Sequence, residues 1–551
     1  MYSIINRILG HPRASVIIIA IAWLNKLFIS IFFYSLSDDK ALYSLLALNA
    51  TQGHGFTETF YFLQAPGTPY FLINQAIVSP GYSFVLVPLL LVTGKNIFLS
   101  AIIAESLGWL LFFYGTRSIL KFCSVPLSRI NMATLLLGFF IYSHEIQSAA
   151  KDTLSVSLLL IACFYILRSL QSSSSPVRTG VFAALLAILP GFFKLIYLPL
   201  FFPLLLIFLI TGYIKKEKKL ISTFLWSMLF AGLLFALWYT CISLTSIGTS
   251  YPFEYKDWSM TKEGAEFIRG FYPGNLINTF PFLVAAFCNM EFWAIVAERL
   301  FPGSYSVADI FFRLVNLILF LALTFQFVLF TVKILRTKIN NAQLFIFLGS
   351  LLSVFLISLL FLMSILNKSI HYKGGSAWTY VSEIRSWLFI IVFLQLLVFV
   401  LLHQSFAKNN TLFSRFLRFA FFLLIIESIH GFYFSLRSAS RFRTHRKEIA
   451  QGTNNSILSD LTELRKKYPG KQVELVAENR PFRWVAYLNG NIVYCNTPAL
   501  AESPGIIPPN TVLLIAIHED DLPVLKNYTN TPDVKFAGRR GGYFLFIQEN
   551  K

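Results

Sequence analysis

Acidic residues are scarce in this chain of 551 residues: 27 Asp and Glu stand against 46 Lys and Arg, a formal net charge of +19. Charged residues of both signs make up only 13% of the sequence, about half the share of an average soluble domain. So thin a supply cannot clothe a water-soluble surface of this size, which excludes an ordinary soluble globular protein. Cysteine is also sparse. The five present, Cys123, Cys163, Cys241, Cys288 and Cys495, form no C-x-x-C pair and no metal spacing, which excludes a disulfide framework and a cysteine zinc site. Internal repeats and low-complexity tracts are missing as well. No small-residue cleavage site follows the first apolar run, "MYSIINRILGHPRASVIIIAIAWLNKLFISIFFYSL", and the run is too long for a signal-peptide core. It reads as an uncleaved signal anchor.

What the chain does have is apolar sequence: 56% hydrophobic residues, 58 Phe and a mean hydropathy of +0.64. This is the composition of a polytopic membrane protein. The basic excess falls in short clusters between apolar runs, so it speaks for membrane topology and contact with anionic lipid headgroups, and not for nucleic acid. A window of about 20 residues, the length needed to cross a bilayer, gives about eleven spans. They lie near 15–36, 97–120, 130–147, 153–170, 179–193, 196–213, 220–245, 309–334, 342–366, 387–404 and 413–436. Arg7 and Arg13, Arg117, Lys121 and Arg129, Arg168 and Arg178, the "KKEKK" run at Lys215–Lys219, Lys333 to Lys338, and Lys408 to Arg418 then all fall in loops of one parity. The positive-inside rule makes those loops and the N-terminus cytoplasmic, and the C-terminus extracytoplasmic. That parity requires "PGYSFVLVPLLLVTG" (Pro80–Gly94) not to cross. It is short and broken by Pro80, Gly81 and Pro88, which suits an interfacial or re-entrant helix.

The expected organisation is a transmembrane domain over 1–440, with a first outer loop at 37–95 and a long outer loop at 246–308, followed by a small outer domain over 441–551. In that tail a helix from Ser456 to Tyr468, strands at "QVELVA", "NIVYC", "TVLLIAI" and "GYFLFIQ", and a helix after His518 suggest an α/β fold.

Polar residues that carry chemistry gather in the outer loops. In "SLSDDKALYSLLALNATQGHGF" the spacing of Ala41, Leu42, Leu45 and Leu46 predicts a short surface helix over 39–50 with Asp39 at its N-cap. Two adjacent carboxylates, Asp38 and Asp39, either cap that helix and mark the edge of the first span, or form a site. Side by side they repel, and a cation or a raised pKa must settle them. Lys26, Asn25 and Glu105 lie within spans, where polarity is costly and should face protein; no task follows for them. Lys194, between two spans, can reach either surface, and a lipid phosphate is a natural contact. His54, between two glycines, reads first as a turn residue and second as a metal ligand.

The first outer loop resembles that of the GT-C glycosyltransferases. The resemblance rests on an acidic motif after span one, on "D-x-x-x-Y-x-x-x-A" (Asp39, Tyr43, Ala47), on "QGHGF" (Gln52–Phe56) and on "SPGYSFVLVPLLLVTG" (Ser79–Gly94). It extends to "KDTLSVSLLLIACFYILRSL" (Lys151–Leu170), similar to the family's later Asp before a span, and to "WTYVSEIRSW" (Trp378–Trp387), similar to its late Glu-x-Arg turn. The resemblance is to the branch of the protein O-mannosyltransferases and aminoarabinose transferases, enzymes that take a sugar from a polyprenyl phosphate. The architecture matches over roughly 1–440 and the motifs over a few dozen residues.

The resemblance implies a multi-span glycosyltransferase of the bacterial inner membrane, working on the periplasmic face with a polyprenyl-phosphate sugar donor and a glycan, lipid or protein acceptor. Direct displacement by an acceptor hydroxyl needs one base and inverts the anomeric centre. The phosphate leaves without a general acid, and cations stabilise its charge. Asp39 is the implied base; family members often carry Asp-Glu where this chain has Asp38-Asp39, so Asp38 is the alternate. Asp152 is carried over as a second acid, with an N-cap of the next span as its other reading. Arg385, Lys151, His371 and Lys373 are candidate phosphate ligands, with Tyr43 and Glu383 beside the donor. Arg385 reads equally as an interfacial anchor paired with Glu383, and Lys151 and Lys373 as headgroup contacts. A divalent metal stays an open alternative, since the family's metal-holding residues are not recognisable here. A carrier of lipid-linked saccharides or a membrane-anchored assembly protein are the competing classes.

Overall fold

A computed structural model describes residues 7–32, 38–51, 53, 55–60, 71–74, 81–140, 150–171, 175–245, 286–287, 318, 340–369, 384–403, 411–451, 453–477, 492–494, 510–519, 522 and 533–549. The chain is mostly helical. Its elements run α1 (Pro12–Phe32), α2 (Asp38–Thr51), β1 (Thr57–Phe60), β2 (Phe71–Asn74), α3 (Gly81–Val92), α4 (Ile97–Phe122), α5 (Leu127–Phe139), α6 (Ala150–Ser169) and α7 (Pro176–Phe193). A 3-10 turn (Leu195–Leu200) leads to α8 (Phe201–Lys215), α9 (Lys218–Thr245), α10 (Asn341–Ser369), α11 (Ile384–His403), α12 (Thr411–Gln451) and α13 (Thr453–Lys467). Five strands finish the chain: β3 (Gln472–Ala477), β4 (Ile492–Tyr494), β5 (Thr511–His518), β6 (Val534–Arg540) and β7 (Tyr543–Glu549). Among the described residues eight helices are long and apolar enough to cross a membrane, and Gly81–Val92, Leu127–Phe139 and Trp387–His403 are shorter apolar helices. The protein is therefore an α-helical polytopic membrane protein. The expected span at 309–334 lies outside the described residues, as does the helix after His518.

The chain divides into two compact units. The first, Met1–Ile31, Glu105–Tyr239 and Pro252–Leu436, is the helical bundle. Its core is aliphatic and aromatic, and includes Phe113, Leu160, Phe208, Phe347, Trp387 and Phe389. Polar bonds fix one end of this bundle. Asn131 accepts from Ser15 Oγ at 2.9 Å and from Arg117 Nη1 at 2.7 Å, and donates to the Leu9 carbonyl at 2.7 Å. Arg117 also donates to Thr134 Oγ1, Arg129 to the Leu402 carbonyl and Asn341 to the Phe122 carbonyl. Hence the starts of α1, α5 and α10 share an end with the finishes of α4 and α11. A 12-residue α3 rises only about 18 Å, too little for a core of roughly 30 Å. That length agrees with the expectation of a segment too short to cross.

The second unit joins Phe32–Ala104, Thr240–Tyr251 and Arg437–Lys551. Its seven-stranded sheet has the order β2-β1-β4-β3-β5-β7-β6. The central strands β4, β3 and β5 are parallel, β7 and β6 follow antiparallel, and α13 packs Ile457, Leu461 and Leu464 against Val473, Leu475, Val512 and Leu514. At the edge, Arg540 forks onto Asp460 of α13 with two bonds of 2.9 Å. Two features were not anticipated. Strand β6, "VKFAGRR", has no apolar alternation of its own and is held by β7. Strands β1 and β2 belong to the first loop, yet β1 pairs with β4 in the same sheet. Since strands of one sheet cannot be divided by a bilayer, the first loop and the tail lie on the same side of any membrane.

Candidate functional site

The acidic stretch lies on a helix, as its periodicity requires, but the described helix begins at Asp38. Asp39 thus stands inside the helix and not at the N-cap, because Asp38 before it already has helical backbone. Four and eight residues on, Tyr43 and Ala47 share its register along one helix face, and both are buried. Tyr43 faces α3. Its ring meets Tyr82 edge-on with centroids 5.8 Å apart, and its carbonyl accepts from Ser83 Oγ at 2.9 Å. The motif that suggested a donor contact for Tyr43 therefore also serves to clamp α2 onto α3.

Within the helical unit, Asp152 lies in the first turn of α6. It is inside the helix, so the N-cap reading does not describe it. Its side chain has no exposure at all, and Lys194 Nζ lies 2.6 Å from its Oδ1. Lys194 occupies the single extended position between α7 and the 3-10 turn, where the chain reverses so tightly that a Cβ on Gly191 would lie 2.5 Å from the Leu198 Cα. From there its ammonium lies 5.8 Å from the ring centre of Tyr197, itself buried. This corrects the expectation of a lipid-phosphate contact for Lys194: the side chain is only 10% exposed and turns inward to a carboxylate. A buried ion loses its hydration at a cost of several kcal/mol, and each partner here offsets the other's loss.

The polar residues of the first span and of α4 also face protein. Lys26 Nζ donates to the Phe140 carbonyl at 2.9 Å, Asn25 donates to the Gly138 carbonyl at 3.0 Å, and Trp23 Nε1 donates to Ser106 Oγ at 2.8 Å. Glu105 is buried in the same region of α4.

No family model matches the sequence, and no curated protein matches it. Among solved structures, the chain is similar to the crystal structure of ArnT from Cupriavidus metallidurans bound to undecaprenyl phosphate. The similarity covers 98% of this chain and 98% of that one, at 12% identity and a TM-score of 0.44. At that identity and score it assigns neither a family nor an activity.

The remaining sequence candidates are placed as follows. Lys151 precedes Asp152 in the first turn of α6, and Arg385 is the second residue of α11, two before the buried Trp387. His371, Lys373, Glu383 and His54 lie outside the described residues. Among the described residues no group of three or more His, Cys, Asp or Glu is placed to hold a metal ion. The residue that sequence reading left unpaired with the site is Lys194. Its one signal was a lone cation between two apolar helices, and only the fold reveals that its counterion sits on another span.

Proposed function

We propose that the protein is an integral-membrane glycosyltransferase that moves a sugar from a polyprenyl-phosphate donor to a hydroxyl of an envelope glycan, lipid or protein, with inversion, on the periplasmic face. The observation that carries this reading is the Asp152–Lys194 pair, kept dry at the end of the bundle away from the Arg117–Asn131 bonds. Ionisable groups inside a membrane bundle are costly and mark working sites by default. Here the acid is the very residue that the resemblance to GT-C enzymes singles out.

In this scheme Asp39, or Asp38 as its alternate, takes the proton from the acceptor hydroxyl as its oxygen bonds to the anomeric carbon. The bond from that carbon to the phosphate oxygen breaks, and the lipid phosphate leaves with the electron pair. Arg385, Lys151, His371 and Lys373 receive its charge; a guanidinium fork suits two phosphate oxygens best. Tyr43 and Glu383 flank the donor. Asp152 orients the acceptor, and Lys194 is a positioning residue that keeps this acid ionised and in one rotamer. The loops rich in Lys and Arg support a cytoplasmic N-terminus in a bacterial inner membrane, with the tail periplasmic.

Membranes containing the protein, given a radiolabelled polyprenyl-phosphate sugar, should release free polyprenyl phosphate and label an acceptor. Movement of intact donor across the bilayer without bond cleavage would instead make the protein a carrier. Neither movement nor cleavage would leave an assembly role. Cysteines placed near Lys216 and Lys408 should be shielded from an impermeant thiol reagent outside, and those near His371 and in the tail should react. A shielded tail would put the proposed site in the wrong compartment.

A further inference from the structure

Helix α5 is too short for the membrane it stands in. Its 13 residues rise about 20 Å, and its first turns are pinned by Arg117 through Asn131 and Thr134. Against a hydrocarbon core of roughly 30 Å, the far end stops about 10 Å deep. Phe140 has already left helical backbone, so the carbonyls around it stand at a helix end, and in a bilayer such groups must find partners. Two side chains of α1 supply them: Asn25 to the Gly138 carbonyl and Lys26 to the Phe140 carbonyl. The depths agree, since Lys26 lies 14 residues past Pro12, about 21 Å along the helix. The approach is possible because Gly138 has no side chain; a Cβ there would lie 2.4 Å from the Ala22 Cβ. A cation at this point also meets the negative end of the helix dipole.

Lys26 reaches further than its carbonyl. Its Nζ lies 4.5 Å from the ring centre of Trp109 on α4, and its side chain is buried. The neighbour of Trp109, Gly108, packs against Thr153 and Leu154 of α6, and Ser157 Oγ donates to the Gly108 carbonyl at 3.0 Å. Thr153 directly follows Asp152. One layer therefore runs from the end of α5 through Lys26, Trp109 and Gly108 to the turn of α6 that holds the buried acid.

We propose that Lys26 is a positioning residue for the transfer reaction: it caps the end of α5 and so holds the layer that fixes the depth of Asp152. Its kinetic consequence rests on the glycosyltransferase reading, whereas the cap itself does not. Lys26→Met keeps the apolar stem and removes the donor, Lys26→Gln keeps a neutral donor, and Lys26→Arg keeps a charged one. Hydrogen exchange on the purified chain should show amides 136–140 of Lys26→Met exchanging at least about tenfold faster, with amides 130–134 unchanged. Turnover per folded molecule should fall about tenfold with the donor KM unchanged, the signature of a group that acts beyond binding. Lys26→Gln should be intermediate, and Lys26→Arg should restore most of both. Unchanged exchange in both Lys26→Met and Lys26→Gln overturns the cap, whatever the activity. Faster exchange with unchanged turnover overturns the positioning role and leaves a structural cap. A wild-type chain that transfers no sugar from any donor defeats the kinetic half together with the proposed function, while the exchange result still decides the cap.

Discussion

At one end of the helical unit Arg117 is partly exposed and its guanidinium answers to the neutral oxygens of Asn131 and Thr134. Away from that end Lys194 is almost enclosed and answers to Asp152, a carboxylate with no exposure. Both are cations near the ends of apolar helices, and both close a gap between elements distant in sequence. They differ in cost. The partly exposed arginine keeps some hydration, and its charge-assisted bonds to neutral groups are worth about 1.5–3 kcal/mol each. The nearly enclosed pair forgoes most of its hydration, and a buried pair is often no more stabilising than the apolar residues that could replace it. The comparison teaches where to look for work: a charge that apolar residues could replace without loss of stability is the better candidate for chemistry.

The largest effect expected lies with the acid proposed to take the proton. Asn tolerates the start of a helix as well as Asp, so Asp39→Asn should leave folding intact and lower transfer by roughly two to four orders of magnitude. Asp38→Asn should cost less; a reversed order moves the base by one residue and keeps the scheme. Near wild-type transfer in the double variant would reduce both aspartates to a helix start and remove the proposed base.

Next comes the enclosed pair itself. Lys194→Met strands a buried carboxylate and should destabilise the fold by about 3–5 kcal/mol, read as a fall in the thermal midpoint in detergent. Adding Asp152→Leu should recover most of that stability and none of the transfer. Recovery of both would erase the distinction between the two ends.

A smaller loss is expected for Arg385, whose contribution on phosphate oxygens is on the order of 2–3 kcal/mol. Arg385→Ala should raise the donor requirement and lower turnover, and Arg385→Lys should restore part of it, because an ammonium lacks the planar fork. Wild-type kinetics in both variants would make Arg385 an interfacial anchor. The smallest effect on transfer belongs to the other end: Arg117→Gln should cost about 2 kcal/mol of stability and leave transfer per folded molecule unchanged. A loss of transfer there as large as that of Lys194→Met would break the comparison from its other side.

The amino-acid sequence by itself determined the membrane class, the positions of most of the described spans, though not the end of the one expected at 130–147, which stops at Phe139, the helix that carries Asp38 and Asp39, and strands β3, β4, β5 and β7. Each of these depends on runs or periods of consecutive residues, such as the apolar length of Ile97–Phe122 or the spacing of Leu42, Leu45 and Leu46. Only the tertiary structure decided that β1 and β2 extend the sheet of the tail, that "VKFAGRR" is a strand, that α5 ends early under Lys26, and that Lys194 turns inward to Asp152. Edge pairing and the burial of a charge are set by partners from other elements. A lysine between two apolar runs has the same local sequence whether it meets a lipid phosphate or a carboxylate, and the choice is made by what the packed helices bring within 3 Å of it.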